Sequence, residues 1–113
     1  MKLHFSELEN GIRLITLDGK LDSHGVDNVE FEFIHHCAGD TPRVLVDLSR
    51  VSYISSIGIP MLVNAARSVA ARGGEMALLN PHHTVMDVLD LVGVSRIIPV
   101  YYDLGSARAG LSS

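Results

Sequence analysis

The stretch VDLSRVSYISSIGIPMLV, residues 46–63, joins a strand-like segment to a helix-like one and contains two adjacent serines. Its start belongs to the run RVLVDL, which is typical of a strand covered on both faces in a parallel or mixed sheet. We predict that this strand ends at Asp47-Leu48 and that a short loop leads to a helix starting near residue 57. Ser55 and Ser56 are then placed at the amino-terminal end of that helix, where backbone N–H groups lack partners.

The helix after the serines has apolar residues at helical spacing until Gly73-Gly74, a pair that favours termination. These residues are Leu62, Val63, Ala66, Val69 and Ala70. Pro60 has no N–H and disfavours helical geometry at Ile59 before it. Two starts therefore remain open, one near residue 57 and one a turn later.

The segment before the stretch predicts a β-hairpin followed by a helix. Residues 2–17 alternate in polarity around Asn10-Gly11, a strong signal for a two-residue turn. The pattern breaks at GKLDS, residues 19–23, and a helix capped by Asp22 or Ser23 follows. The predicted buried face of this helix consists of Val26, Val29, Phe33, Ile34 and Cys37.

The segment after the stretch predicts two further strands and a third helix. EMALLN, residues 75–80, is a short strand, and Asn80-Pro81 is typical of a helix start. This helix ends at Gly93, and its apolar stripe consists of Val85, Val88, Leu89 and Val92. RIIPVYY, residues 96–102, is a last short strand or an extended segment, in which Pro99 is incompatible with a central position in the sheet. The tail SARAGLSS adds a frayed helical turn. The order ββαβαβαβ predicts an α/β sandwich with helices over a mixed sheet.

Length and composition fit one domain spanning residues 1–113. The chain has 47% hydrophobic and 19% charged residues and a net charge of −4, which describes a globular protein without a basic stripe for nucleic acid. No apolar run approaches the roughly 20 residues that cross a bilayer, and MKLHFSELENG lacks the apolar core of a secretory signal. Cys37, the only cysteine, has no partner for an internal disulfide. We therefore expect a cytoplasmic protein with no direct nucleic-acid binding and no membrane insertion.

Candidate metal and catalytic residues lack the spacing that such sites need. Neither His35-His36-Cys37 nor His82-His83 has CxxC or HExxH spacing, so we expect solvent-facing histidines, a core cysteine, and no metal or cofactor. The chain contains no GxSxG elbow, P-loop or GxGxxG motif, and the serines have no nearby histidine in sequence to act as a base. The sequence favours a binding module over an enzyme.

The two serines allow two interpretations from the residues alone. A serine hydroxyl at a helix start commonly caps free N–H groups, which contributes about 1 kcal/mol. An exposed hydroxyl there can instead accept a phosphoryl group, because the helix end attracts the added charge of about −1.5 to −2. The local sequence leaves both open.

Four segments together resemble the anti-sigma factor antagonist family, a group of small bacterial STAS domains. The segments are GKLDS at 19–23, VLVDLSRVSYISSIGI at 44–59, ARGGEMALLNP at 71–81 and VLDLVGVSRIIPVYY at 88–102. The resemblance covers nearly the whole chain. It implies a STAS-like sandwich in which three to four helices cover a mixed sheet of four to five strands.

The serine loop carries the functional part of the resemblance. In that family the loop typically reads aspartate, serine, serine or threonine, glycine, and its first serine is phosphorylated by a serine kinase that is also the anti-sigma factor. Matching the motif places Ser56 at the phosphorylated position and Gly58 at the glycine. Ser55 stands in place of the usual aspartate, and Ile57 in place of the second serine or threonine.

The resemblance implies a regulator of transcription that switches partners. The unphosphorylated protein would bind a kinase-type anti-sigma factor and release a sigma factor, and phosphorylation of Ser56 would end the binding. A serine phosphatase is the second implied partner. The protein itself is then the substrate of the kinase and the phosphatase, and not an enzyme. The implied contact residues, extended by the second helix, are Asp22, Ser23, Tyr53, Ser55, Ser56, Ile57 and Gly58. The alternative is a STAS subunit of a transporter ATPase or sensory complex, not phosphorylated, with the serine loop as a passive contact.

Overall fold

Five strands and four helices follow one another in the computed structural model, which describes residues 1–111. The strands are β1 (Lys2–Glu7), β2 (Arg13–Leu21), β3 (Arg43–Ile54), β4 (Glu75–Leu79) and β5 (Val100–Tyr101), and the helices are α1 (Ser23–His36), α2 (Gly58–Ala71), α3 (His83–Leu91) and α4 (Leu104–Leu111). The strands form one sheet in the order β1-β2-β3-β4-β5, in which β1 is antiparallel to β2 and the other neighbours are parallel. The predicted α/β class and ββαβαβαβ order are confirmed, and α4 follows them. Within residues 1–111, no helix combines the length and the apolar character that crossing a bilayer requires.

The connection between β1 and β2 is longer than the predicted two-residue turn. Glu7 pairs with Arg13, and the residues between them include a single 3₁₀ turn. Asn10 and Gly11 have positive φ angles of 67° and 76°, as their turn signal requires. Ile12 is the last residue of this longer connection, and it is fully buried on the sheet face covered by α4.

β2 runs further than predicted. The sequence predicts a break at Gly19, yet the strand continues to Leu21, which pairs with Ile54 of β3. Gly19 has a φ of 127°, and a Cβ there would lie 3.2 Å from the Cα of Met1. The glycine is therefore a point of close backbone approach and not a strand end.

β3 also continues past its predicted end at Asp47-Leu48 and reaches Ile54. Up to Leu48, every second residue of β3 faces the main core. The next core-facing residues, Val51 and Ile54, follow at spacings of three, because β3 shifts register twice against β2. The Asp47 carboxylate accepts the Ser49 N–H at 2.9 Å beside the first shift. The polar residues interpreted as a loop are thus the outer side of a bulged strand.

α1, α2 and α3 cover one face of the sheet and enclose the main core. α1 buries Val26, Val29 and Phe33 as predicted, and Cys37 is buried just beyond its last residue. Ile34 was predicted in the core, but its side chain is 56% exposed. It lies about 100° around the helix from Phe33, so it faces a groove between α1 and α2 instead of the sheet.

α3 starts later than its sequence signal. It begins at His83 instead of at Asn80-Pro81, because Asn80 has a left-handed φ of 58° and turns the chain after β4. Val85 and Leu89 are buried as predicted. Val92 follows the last helical residue and is 52% exposed, so it does not belong to the core.

α4 covers part of the opposite face of the sheet. The sequence predicts only a frayed turn here, but Ala107 and Leu111 of a regular helix are buried against Leu45 of β3 and Ala77 of β4. These two strand residues alternate with the ones that face the main core. The last residues of the predicted tail, 112–113, lie outside the described part of the chain.

Candidate partner-binding and phosphorylation site

The carboxyl ends of β2 and β3 bring the predicted site residues together at one edge of the sheet. Leu21 and Ile54 are paired at the ends of these two parallel strands. The residues that follow them are therefore neighbours, and they start α1 and α2 respectively. The predicted contact residues at this edge are Asp22, Ser23, Tyr53, Ser55, Ser56, Ile57 and Gly58.

Ser55 joins the end of β2 to the start of α2. Its N–H donates to the Leu21 carbonyl at 3.0 Å, and its Oγ donates to the same carbonyl at 3.3 Å. The Oγ also accepts the Ile57 N–H at 3.2 Å, and the Ser55 carbonyl accepts those of Gly58 and Ile59 at 3.0 and 3.3 Å. Ser55 is therefore hydrogen-bonded both to the end of β2 and to the turn that starts α2, although the N-cap residue of α2 is Ile57, which makes no side-chain capping bond.

Ser56 presents its hydroxyl to solvent. The residue is exposed, and its Oγ has no hydrogen-bond partner within residues 1–111. It lies two residues before Gly58, the first residue of α2, at the positive end of the helix macrodipole. An anionic group on this oxygen would be stabilised by the helix without displacing an existing hydrogen bond.

α2 begins early enough to keep Ser56 beside its amino-terminal end. The helix starts at Gly58, so Pro60 is its third residue and the later start is excluded. A proline is tolerated in the first turn because the first N–H groups of a helix have no partner within the helix.

Two glycines allow the helix starts to approach the end of β2 closely. A Cβ on Gly58 would lie 2.6 Å from the Leu21 carbonyl oxygen, and one on Gly25 would lie 2.0 Å from the Lys20 carbonyl oxygen. Neither Gly25 nor Leu21 is among the site residues predicted from the sequence. Glycine in the first turn of a helix, where it lowers intrinsic helix stability, is the signal that could have identified Gly25.

Asp22 is the N-cap of α1. The sequence predicts a cap at either Asp22 or Ser23, and the structure has it at Asp22. Its carboxylate accepts the Gly25 N–H at 2.9 Å, and this hydrogen bond holds the pKa of the carboxyl below its ordinary value, against a smaller opposing effect of desolvation. Ser23 is the first helical residue and is exposed. Asp22 therefore contributes a negative charge to the edge that carries the serine loop.

We expect Asp22→Ala to lower the midpoint of urea unfolding at neutral pH, and Asp22→Asn, which keeps an acceptor oxygen, to lower it less. Because the pKa is lowered in the folded state, the charge contributes stability above the unfolded value of about 3.9. That contribution is lost as the pH falls through the folded value. Urea titrations followed by circular dichroism should show a difference between wild type and Asp22→Asn that shrinks below about pH 4. A difference independent of pH would contradict this account.

Tyr53 and Ile57 give the edge an apolar character. Their side chains are 52% and 53% exposed, and they lie on either side of the serine pair in the chain. Large exposed apolar groups around a polar centre are typical of a protein-binding surface.

The histidines differ in their surroundings. The prediction that His36 faces solvent is wrong. Its ring stacks on Phe5 with the ring centroids 4.0 Å apart, and its Nε2 lies 3.7 Å from the Glu32 carboxylate. His35 and the pair at residues 82–83 are exposed as expected. In the described residues, no three histidine, cysteine or acidic side chains are grouped as a metal site would require.

Cys37 is a core residue, as predicted. Its side chain is 3% exposed, and burial raises the pKa of the thiol to about 12. The thiol is therefore uncharged at neutral pH and unsuited to act as a nucleophile.

Comparison with known proteins identifies the family of this chain. The family model of the STAS domain matches residues 6–107. BtrV of Bordetella bronchiseptica, which is named as an anti-sigma factor antagonist, is 30% identical over 115 residues, an alignment that covers 100% of this chain and 97% of BtrV. The chain belongs to the STAS domain family. The resemblance drawn from the four sequence segments is thereby confirmed.

Solved structures of STAS domain proteins have the same architecture. An anti-sigma-factor antagonist (STAS) domain protein from Planctomyces limnophilus superimposes with a TM-score of 0.87 at 19% identity, and 98% of each chain is covered. The anti-sigma factor antagonist SpoIIAA in its unphosphorylated form superimposes with a TM-score of 0.76 at 21% identity, covering 96% of each chain. Bacillus SpoIIAA in its phosphorylated form has a TM-score of 0.69 at 21% identity, covering 96% of this chain and 99% of SpoIIAA. At such identities the likeness establishes the shared STAS fold.

Proposed function

We propose that this STAS domain, taken as one domain over residues 1–113, is an anti-sigma factor antagonist that binds a kinase-type anti-sigma factor and thereby releases a sigma factor. The binding surface is the edge formed by Asp22, Tyr53 and residues 55–58, and phosphorylation of Ser56 ends the binding. One observation carries the proposal. Ser55 uses its hydroxyl to start α2, whereas Ser56 presents its hydroxyl to solvent at the same helix end. The names of BtrV and SpoIIAA support the class of partner.

The reaction at Ser56 requires only an acceptor oxygen from this protein. The Oγ attacks the γ-phosphorus of ATP held by the kinase, the bond to the bridging oxygen breaks, ADP leaves, and the hydroxyl proton passes to a base of the kinase. The product carries a charge of about −1.5 to −2 at neutral pH. The amino-terminal end of α2 stabilises that charge in the free protein.

The same charge opposes the complex. Docking through Tyr53 and Ile57, which are 52% and 53% exposed, would enclose the phosphate between apolar groups and remove its water. Asp22, whose pKa is lowered by its capping hydrogen bond to Gly25, carries a charge of the same sign at this edge. Phosphoserine is therefore favourable in the free protein and unfavourable in the complex, which is the property of a switch.

The two departures from the family motif are compatible with this role. The Ser55 Oγ accepts the Ile57 N–H at 3.2 Å, so a hydroxyl supplies the acceptor that an aspartate would supply in its place. Ile57 replaces a second hydroxyl with an exposed apolar side chain. Both changes leave Ser56 as the free hydroxyl of the loop.

The test is to incubate the protein with ATP and each serine-kinase-type anti-sigma factor encoded in the same genome, and to map phosphate by mass spectrometry. We expect at least one kinase to modify Ser56 and none to modify Ser56→Ala, while Ser6→Ala in exposed β1 behaves as wild type. If Ser56 stays unmodified with every kinase, the switch is excluded. The alternative role as an unphosphorylated STAS subunit of a transporter ATPase or sensory complex then remains.

A further inference from the structure

A groove lies between α1 and α2, and the lining residue that is closest to Ser56 in the chain is Met61. The groove has a volume of about 280 Å³ and extends along α2 from Met61 to Arg72, with Glu30 and Ile34 on the α1 side. Both helices start at the sheet edge that carries Ser56, so they run in the same direction. The groove therefore lies between the two helices whose first residues form the proposed binding surface.

α1 exposes two large apolar side chains, of which Ile34 lines the groove and Phe31 lies outside its lining. Phe31 is 88% exposed and Ile34 is 56% exposed. They are three residues apart and so lie on one face of the helix. The buried Cys37 and Ala65 line the groove beside Ile34, which makes its centre apolar. Exposed apolar groups beside an apolar groove indicate a contact surface for another protein.

The groove carries opposite charges at its two ends. Glu30 lies nearer the Ser56 end, one turn along the same helical face from Asp27, and α1 contains no lysine or arginine. Arg72 marks the other end and donates one N–H to the Gly39 carbonyl at 3.3 Å. Its guanidinium has five N–H donors, so others remain for a partner. A complementary occupant is basic near Glu30 and acidic near Arg72.

We propose that the groove receives one amphipathic helix of the anti-sigma factor, antiparallel to α1 and α2, with acidic residues in its first turn beside Arg72 and basic residues in its last turn beside Glu30 and Asp27. This proposal rests on the proposed function, since both surfaces bind the same partner. The direction follows from the charges. Acidic residues stabilise the amino-terminal end of a helix and basic residues its carboxyl-terminal end, so the complementary pattern is also the intrinsically favourable one.

The dimensions of the groove suit such a helix. The rise from Met61 to Arg72 is about 16 Å, or three turns. Small residues along the walls, Ala38, Ala65 and Ser68, allow close approach of a third helix backbone. Apolar positions at helical spacing on the occupant would face Ile34 and Phe31, as in other helix-in-groove complexes.

The experiment measures the affinity of the full-length protein for the anti-sigma factors of the serine-kinase type encoded in the same genome. Each variant has a control with a similar change, from charge to opposite charge or from a large apolar side chain to alanine, on an exposed residue that does not line the groove. Glu30→Arg is paired with Glu32→Arg on α1, Arg72→Glu with Arg67→Glu on α2, and Phe31→Ala with Leu91→Ala, whose side chain is 86% exposed. We expect the groove variants to raise Kd about tenfold and the controls less than about twofold. Thermal melts verify that all six variants are folded.

The outcomes separate this proposal from the proposed function. If wild type binds and the groove variants bind as tightly as their controls, the groove helix is excluded while the role of the Ser56 edge stands. If wild type binds none of the anti-sigma factors, both proposals are overturned. A selective loss in the groove variants, with phosphorylation of Ser56 still weakening the binding that remains, supports both.

Discussion

Ser56→Asp should bind its kinase-type anti-sigma factor at least about a hundredfold more weakly than wild type, whereas Ser56→Ala should bind within about threefold. The carboxylate would enter an interface bordered by Tyr53 and Ile57, where it loses water and adds to the negative charge of Asp22. Removing the hydroxyl costs little, because in the described residues it makes no hydrogen bond that would be lost. Titration calorimetry with the purified partner would measure both affinities.

Ser6→Asp is the control for the change in net charge, because Ser6 is exposed on β1 and remote from the serine loop along the sheet. It should leave the affinity unchanged. Urea unfolding adds a second readout, since a carboxylate near the start of α2 should stabilise the free protein by about 0.3–1 kcal/mol. A Ser56→Asp variant that bound the partner as tightly as wild type would exclude the charge switch.

Gly58→Ala should destabilise the protein by about 2–4 kcal/mol, although alanine is intrinsically the better helix former. The added Cβ would lie 2.6 Å from the Leu21 carbonyl oxygen and 2.7 Å from the Leu21 Cγ. The Leu21 carbonyl oxygen is part of the backbone and cannot give way to a Cβ at this distance, so α2 must move away from β2. The same movement would stretch the hydrogen bonds of Ser55 to Leu21. Urea unfolding followed by circular dichroism measures the loss.

Gly105→Ala provides the matched control for this substitution. Gly105 is also an early residue of a helix, but a Cβ there would come no closer than 3.4 Å to Asp103 Oδ1. It should be neutral or stabilising by up to about 1 kcal/mol. If Gly58→Ala were as stable as Gly105→Ala, the close approach of α2 to β2 would not be required for folding.

Much of the fold could be predicted from local patterns. The apolar spacing of Val26, Val29 and Phe33 depends on helix geometry alone, and the run from Val44 to Leu48 depends on burial of a strand on both faces. The cap at Asp22 is also local, because its partner is Gly25. Such features depend on residues that are close together in the chain, so they can be predicted from the local sequence.

Features that depend on distant residues were predicted wrongly. β3 appeared to end at Leu48 because its bulges break the two-residue period, and those bulges arise from its pairing with β2. Gly19 was interpreted as a break because glycine is typical of turns, whereas its actual role is to allow close approach of Met1, 18 residues earlier in the chain. α4 was underestimated because Ala107 and Leu111 become buried only when the sheet face around Leu45 exists.

The serine pair shows the same division at the site. The sequence by itself determined that two hydroxyls lie at the start of a helix after a buried strand, and the family motif singled out Ser56. Only the tertiary structure decided which hydroxyl is engaged, because the carbonyl that binds Ser55 belongs to Leu21, which is 34 residues away in the chain. β-sheet pairing brings that carbonyl to Ser55 and leaves Ser56 facing solvent.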